Sequence, residues 1–328
     1  MPEGFKTSDR ATMAYDSDSL FPTGPTTRRG LLSAFSRRAA EVLPAVPDIL
    51  VPRDPPDPFE EETPAWIEPT ISSEDLIAEI HASREETGMH IWWLGQSGFL
   101  VQIAGENLLL DPYLSDSATK KYADSETPHE RMTGLVVAPS LLSFVNIVTS
   151  SHAHLDHLDP ETLPHVLADG ATFICAAGSE QVAAERAGRQ PDAVLGPDDD
   201  VTFGGFTIQA VPAYHEGAPE AVGYVARHGA YALYHAGDTR RVQGVAETVV
   251  AHGVDVAFVP INGRDNMDGA DAARLAYEAG AIIAIPCHHE MFRCNTASTA
   301  RFVAECVRIG QEYRLPRVGE RITIDYGF

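Results

Sequence analysis

The stretch Val148-Thr149-Ser150-Ser151-His152-Ala153-His154-Leu155-Asp156-His157 narrows the choice of fold more than any other part of the chain. An apolar run over 145–148 leads into three hydroxyl residues, and three histidines and an aspartate follow within six positions. Extended backbone puts residues two apart on the same side, so His152 and His154 share a face. Asp156 and His157 come where the chain turns and can address a second position. A loop at the end of a strand is held by a rigid edge yet stays open to solvent. Imidazole and carboxylate donors suit Zn, Mn or Fe(II), and a loop without thiolates argues against a closed structural zinc site. A histidine-rich loop that binds nothing is the competing reading, and this ligand density directly behind a strand weighs against it.

The rest of the chain supports such a site. Apolar runs rich in Val, Ile and aromatics predict strands at 90–94, 98–103, 107–110, 145–149, 171–175, 206–211, 222–227, 231–235, 255–259 and 281–285. Helical spacing predicts helices near 73–86, 160–168, 179–187, 242–252, 268–279 and 296–312. Ser72-x-x-Asp75 forms a capping box for the first of these. The early runs are hairpin-like and the later ones alternate strand with helix, a pattern for two packed sheets with helices outside. No repeat at a fixed period is visible. Three further strands run into polar clusters: Tyr214-His215, then His235-Ala236-Gly237-Asp238, then Cys287-His288-His289. Asp111 closes another strand in Leu109-Leu110-Asp111-Pro112, where it either orients a ligand histidine or caps a turn.

Ahead of this domain, residues 1–70 read as an extension. A polar arm comes first, then a helix over about 28–43 with arginines facing water, then a proline-rich connector; the domain itself spans 71–328.

The order of these clusters resembles the metallo-β-lactamase fold superfamily, an α/β four-layer αββα sandwich. Trp92-Trp93-Leu94-Gly95, Arg131-Met132, Tyr234-His235-Ala236-Gly237-Asp238 and Ile285-Pro286-Cys287-His288-His289 look most like its L-ascorbate-6-phosphate lactonase group. The resemblance covers roughly 89–327. It implies two divalent metal ions, Zn, Mn or Fe. His152, His154 and His215 would hold one and Asp156, His157 and His288 the other, with Asp238 bridging. At His215 the chain departs from the lactonase group and is closer to other members. His288 is favoured over His289, which would instead support the site or face substrate. His235 either orients a ligand or packs as a core histidine. Arg264 and Arg131 are candidates for gripping an anionic substrate group, with surface ion pairing as the alternative for each. Tyr224 and Tyr214 are candidates for lining the pocket, and Trp92 and Trp93 for the core.

Charge and composition trim the functional choices. Asp and Glu number 47 against 24 Lys and Arg, a formal net charge of −23, and no basic run offers a nucleic-acid footprint. The four cysteines form no Cys-x-x-Cys pair and suit reduced thiols in a cytoplasmic protein. The N-terminus lacks the apolar stretch of a secretory signal, and no segment has the roughly 20 apolar residues of a membrane span. A homo-oligomer is compatible with these properties. Leu94-Gly95-Gln96-Ser97-Gly98 is not a nucleophile elbow, because its spacing is wrong and a strand follows it. The expectation is a metal-dependent hydrolase of a small, anionic substrate, a sugar-acid lactone above all, with Asp156 or Asp238 moving the proton. A phosphodiesterase acting on a small molecule or lipid head group, and a metal-binding protein without activity, are the alternatives.

Overall fold

The computed structural model describes residues 66–327. The helix expected over 28–43 and most of the connector lie outside them. The described chain engages the domain from its first residues: the Ile67 amide donates to Met132 O, the Gly134 amide to Ile67 O and the Thr70 amide to Val318 O.

Two seven-stranded sheets form the centre. The first contains β1 (Met89–Gly95), β2 (Gly98–Ile103), β3 (Glu106–Leu110), β4 (Ile147–Ser150), β5 (Thr172–Ala176) and β6 (Ala193–Leu195), with β14 (Arg321–Ile324) added beside β1. The second runs in spatial order from β13 (Glu312–Tyr313) through β12 (Ile283–Cys287), β11 (Val256–Pro260), β10 (Tyr231–His235), β9 (Val222–His228) and β8 (Phe206–Pro212) to β7 (Asp200–Phe203). Across the first sheet from β14, three antiparallel pairings are followed by three parallel ones. From β7 the second sheet repeats that pattern. The repeat is one of topology, which the sequence does not display as a period.

Side-chain alternation explains the layering. On the second sheet Ile208, Tyr224, Leu233, Phe258 and Ile285 face the first sheet in one core. Their neighbours Val225, Ala232, Tyr234, Ala257 and Ala284 face a second core with α5 (Val245–Val250), α6 (Gly269–Glu278) and α7 (Ala300–Ile309). This period of two is what a sheet buried on both faces requires. On the far side of the first sheet lie α1 (Ser73–Ala82), α3 (Leu163–Val166) and α4 (Glu180–Ala187), with Leu76, Ile80, Leu163, Val166 and Ala183 buried; α2 (Ser117–Lys121) lies in the loop between β3 and β4. The arrangement is the four-layer αββα sandwich expected. Ser72 caps α1 as expected, its hydroxyl accepting the Asp75 amide at 3.1 Å. No helix among the described residues is long and apolar enough to cross a membrane.

Strand β12 ends two residues later than the sequence suggests. Pro286 sits inside it, paired in register with Val259. Proline removes a ladder donor and is tolerated where nothing lies alongside to receive it. The neighbour β13 pairs only at Ile283 and Ala284, so it stops short of Pro286. Strands β6, β7, β13 and β14 escape prediction because they are short and, at β7 and β13, exposed or half-buried.

One ion-pair cluster ties α6 to α7. The Glu305 carboxylate, its side chain 8% exposed, accepts from Arg274 at 2.6 Å and from Arg308 at 2.6 Å. The hydrogen bond from Arg308, with that from Arg274, outweighs burial and holds its pKa down at about 2. A depressed carboxylate stabilises the fold above its unfolded pKa and loses that contribution as pH falls through the folded value. Glu305→Gln is therefore expected to lower stability at neutral pH by about 1 kcal/mol, after allowance for water around the half-exposed arginines. The difference from wild type should shrink between about pH 4.5 and pH 2. Urea midpoints across that range check it, and a pH-independent difference would refute it.

Candidate metal centre

The site lies where strand ends of both sheets meet. Loops following β3, β4, β10, β11 and β12, the parallel strands, contribute residues from their carboxyl ends, the usual placement for ligands in such sheets. His215 follows β8, and Gln96 sits in the β1–β2 turn, both at the same edge.

Two adjoining groups of donors form. His152, His154, His215 and Asp238 have ligand atoms all within 4.8 Å of one another, and so do Asp156, His157 and His288. Within the first group His154 Nδ1 stands 3.0 Å from His152 Nε2 and 3.2 Å from His215 Nε2. Asp238 faces both groups. Its Oδ1 is 3.3 Å from His157 Nε2, while its Oδ2 is 3.3 Å from His288 Nε2 and 3.7 Å from His215 Nε2. Asp156 Oδ2 lies 3.3 Å from His288 Nε2 and 3.7 Å from His157 Nε2. The structure thus brings together all seven residues singled out as ligands. It also separates the two adjacent histidines: His288 enters the group, while His289 turns away to pack its ring 4.7 Å from that of Trp93.

Partners behind the imidazoles decide which nitrogen faces the site. His157 Nδ1 donates to Asp111 Oδ2 at 2.7 Å. Ser151 Oγ donates to the same carboxylate oxygen at 2.5 Å and stands 3.0 Å from His152 Nδ1, placed to accept from it. Asp111 Oδ1 accepts the Ser151 amide at 2.9 Å. His215 Nδ1 donates to the carbonyl of Asp265 at 3.0 Å. These contacts occupy Nδ1 in three histidines and leave Nε2 free, the way metal-ligating imidazoles are held. Asp111 thus has the orienting role. Tight packing serves the same end at Gly237, whose φ is +58° and where a Cβ would meet the Ser151 side chain and Val222 O at 2.8 Å.

Electrostatics show what the site lacks. Burial opposes charge on His157, yet Asp238, Asp156 and Asp111 raise its pKa well above the ordinary histidine value. His288 behaves alike, burial being overcome by Asp238 and Asp156, and is pushed up to about 9. Asp238 feels the reverse: burial would raise it, but His288 and His157 hold it well below the carboxylate range. Burial, reinforced by the His157 charge, drives His152 well down. Two carboxylates in a buried cluster therefore demand positive charge. Even so, His157 Nε2 and Asp238 Oδ1, 3.3 Å apart but not aligned for a hydrogen bond, are buried with no other hydrogen-bond partner. Orphaned donors in a nitrogen- and oxygen-only set fit a divalent cation. The thiols stand apart: burial raises the Cys287 pKa well above its ordinary value, and the Cys175 and Cys306 thiols are likewise raised, to about 12.

Several expected roles change. Arg131 is no anion grip. Its side chain is 8% exposed, and its guanidinium is spent on Asp116 at 2.8 Å, the carbonyls of Ser115 and Thr133 and the sulfur of Met291. It clamps the loops on either side of it. Tyr224 lines no pocket, being wholly buried with its hydroxyl donating to Ser150 O at 2.9 Å, beneath the metal loop. His235 is a core histidine, donating to Ser97 O at 2.8 Å with its ring against Phe99 and Phe258. Trp92 and Trp93 are core as expected. Arg264 stays exposed and donates to Cys294 O at 3.3 Å. Tyr214 stands at the rim, 47% exposed. Besides Ser151, three residues that support the site escaped the sequence reading. Gln96 donates to Asp156 Oδ2 at 2.7 Å, Asp265 backs His215, and Arg186 on α4 donates to the carbonyls of Ala153, at 2.7 Å, and Leu158, at 3.0 Å, holding the metal loop. Their shared signal was position alone: a turn or loop at the same sheet edge, or a helix behind it.

The model of the Beta-lactamase superfamily domain matches residues 90–288, from β1 to the last of the seven ligands. A UPF0173 metal-dependent hydrolase of Opitutus terrae is 31% identical over 255 residues, covering 72% of this chain and 100% of that protein. Among solved structures, Igni18, a metallo hydrolase of Ignicoccus hospitalis, aligns with a TM-score of 0.57 and 22% identity over 73% of this chain and 99% of that one. An isothiocyanate hydrolase from Delia radicum gut bacteria aligns at 0.58 and 21% over 72% and 99%. At these identities the two structures speak for the fold alone. The matched span and the curated relative go further, and with them the chain belongs to the metallo-β-lactamase superfamily, in its UPF0173 group of metal-dependent hydrolases.

Proposed function

We propose that the chain hydrolyses an ester-type bond in a small molecule with two divalent ions, Zn, Mn or Fe, and that a sugar-acid lactone or related cyclic ester is its substrate. The observation that carries this reading is the pair of adjoining nitrogen and oxygen donor groups, set between two sheets at their carboxyl edges. His152, His154 and His215 would hold one ion and Asp156, His157 and His288 the other, with Asp238 facing both. Bound there, the ions would acidify a water and neutralise charge developing on the substrate's carbonyl oxygen.

The chain's own side chains do the remainder. Asp238 and Asp156 stay ionised in the buried cluster, held there by His157 and His288 against the cost of burial, so each presents an unprotonated carboxylate oxygen to the site. Asp111 and Ser151 fix His157 and His152 so that neither has to reorient as the reaction proceeds. With Arg131 already engaged, the charge of an anionic substrate falls on Arg264 and the ions.

Metal-loaded protein assayed against paired panels of lactones and phosphodiesters tests the reaction class. Lactone turnover is expected, with Arg264→Ala raising KM for anionic members and leaving kcat largely unchanged. Turnover of phosphodiesters alone would overturn the lactone assignment, and binding of ions without any turnover would favour a metal-binding protein.

Removing the ions with a chelator should abolish hydrolysis and lower the unfolding midpoint, with both restored by Zn or Mn. At about a hundred times Kd each ion contributes roughly 2.7 kcal/mol to stability. Asp238→Asn should abolish hydrolysis and leave the fold intact by circular dichroism. Asp111→Asn should weaken metal affinity by about 10- to 100-fold, as loss of such a partner commonly does. Full activity in Asp238→Asn would refute the mechanism.

A further inference from the structure

We propose that Gln96 is a positioning residue for one half of the metal centre: it fixes Asp156 and His288 against each other, and so sets how tightly the second ion is held without affecting the first. This rests on the two-ion reading above.

Gln96 occupies the turn between β1 and β2 and is wholly buried. Its φ is +52°, a left-handed conformation that glutamine adopts only where its surroundings impose it. Two contacts impose it. The Gln96 carbonyl accepts the Trp93 indole N–H at 2.9 Å and the backbone amide of His288 at 3.0 Å. The side chain then reaches into the cluster. Its nitrogen donates to Asp156 Oδ2 at 2.7 Å and lies 3.1 Å from His288 Nε2. Turning the amide over would set its oxygen against a carboxylate, so the nitrogen is fixed on that side.

The two residues it joins come from different sheets. Asp156 belongs to the loop after β4 and His288 follows β12. Gln96 therefore holds His288 at its backbone and Asp156 at its carboxylate, across the seam between sheets. Its hydrogen bonds reach none of His152, His154 or His215, the three imidazoles of the other group. That division is the basis for a selective effect.

The amide oxygen supplies a second argument. Gln96 Oε1 is buried with no partner. An unpaired buried carbonyl oxygen destabilises a fold, so an apolar side chain of similar shape would be tolerated better at this position. A residue kept only for packing has no use for that amide. The nitrogen's contacts with Asp156 and His288 are what the glutamine contributes.

The test is a titration of metal-free full-length protein with Zn²⁺, followed by calorimetry, with the ions counted by native mass spectrometry. Wild type is expected to take two ions in two steps. Gln96→Met should leave one step unchanged and weaken the other by about ten-fold or more. Its metal-free unfolding midpoint should equal or exceed that of wild type, whereas a packing role predicts a fall. Gln96→Gly, which relieves the left-handed turn, should show the same selective loss and serves if the Met variant does not fold. Equal weakening of both steps, or of neither, overturns the proposal. A wild type that takes a single ion sinks the two-ion reading and this proposal with it; two ions in wild type with unaffected variants sink this proposal alone.

Discussion

Ionised Asp156 and Asp238 at the junction of two sheets are the constraint around which the molecule is arranged. Buried carboxylates need countercharge within a few ångströms. Histidines supply some of it, which is why the pKa values of His157 and His288 rise despite burial. The field that would hold protons on those rings is the field a divalent ion answers. The donors come from both sides: His152, His154, Asp156 and His157 from the first sheet, His215, Asp238 and His288 from the second. An ion placed among them would tie the sheets together at their open edge, where no strand-to-strand hydrogen bond can.

The repeated pairing pattern explains how one edge gathers so many functional loops. Each sheet turns from antiparallel to parallel at its fourth strand, β3 in the first and β10 in the second. Both strands are followed by a carboxylate that serves the site, Asp111 directly after β3 and Asp238 three residues past β10. The equivalence stops at position. Asp111 lies behind the histidines and orients them, while Asp238 stands among the donors. The same strand end has become a support in one sheet and a candidate ligand in the other.

Much of this was legible from residues alone, for a physical reason. Ligands in a metal site must be specific residue types, so the clusters after β4, β8, β10 and β12 stand out in the sequence. Long apolar strands gave the layers. What stayed hidden depends on where a side chain points. His288 and His289 are adjacent and chemically equal, and only the turn at His288, with φ +59°, sends one inward and the other onto Trp93. Arg131 suited an anion grip or an ion pair equally, and its four partners, Asp116 among them, decide for the second. Gln96 sat in a stretch weighed only as a nucleophile elbow, and its spacing gave no hint that the turn points at the metal loop. Strand β7 was invisible because its residues are exposed or half-buried and give no apolar run.

Four of the seven described non-glycine residues with positive φ gather at this edge, the others being Ala104, Asp198 and Glu290. Gln96, Asp111, Asp265 and His288 all hold positive φ, at +52°, +39°, +56° and +59°, and all four line the site or support it. Each such residue costs about 1–3 kcal/mol, so the conformations persist only where surrounding structure dictates them. The dictating contacts are visible: Trp93 and His288 on the Gln96 carbonyl, Ser151 and His157 on the Asp111 carboxylate, Arg240 on Asp265 at 2.6 Å. Glycine at these positions would relax the backbone and lose the side chain that does the positioning. Strain at this edge is therefore the consequence of requiring particular side chains at tight turns, and the rigid strands behind them are what make it sustainable.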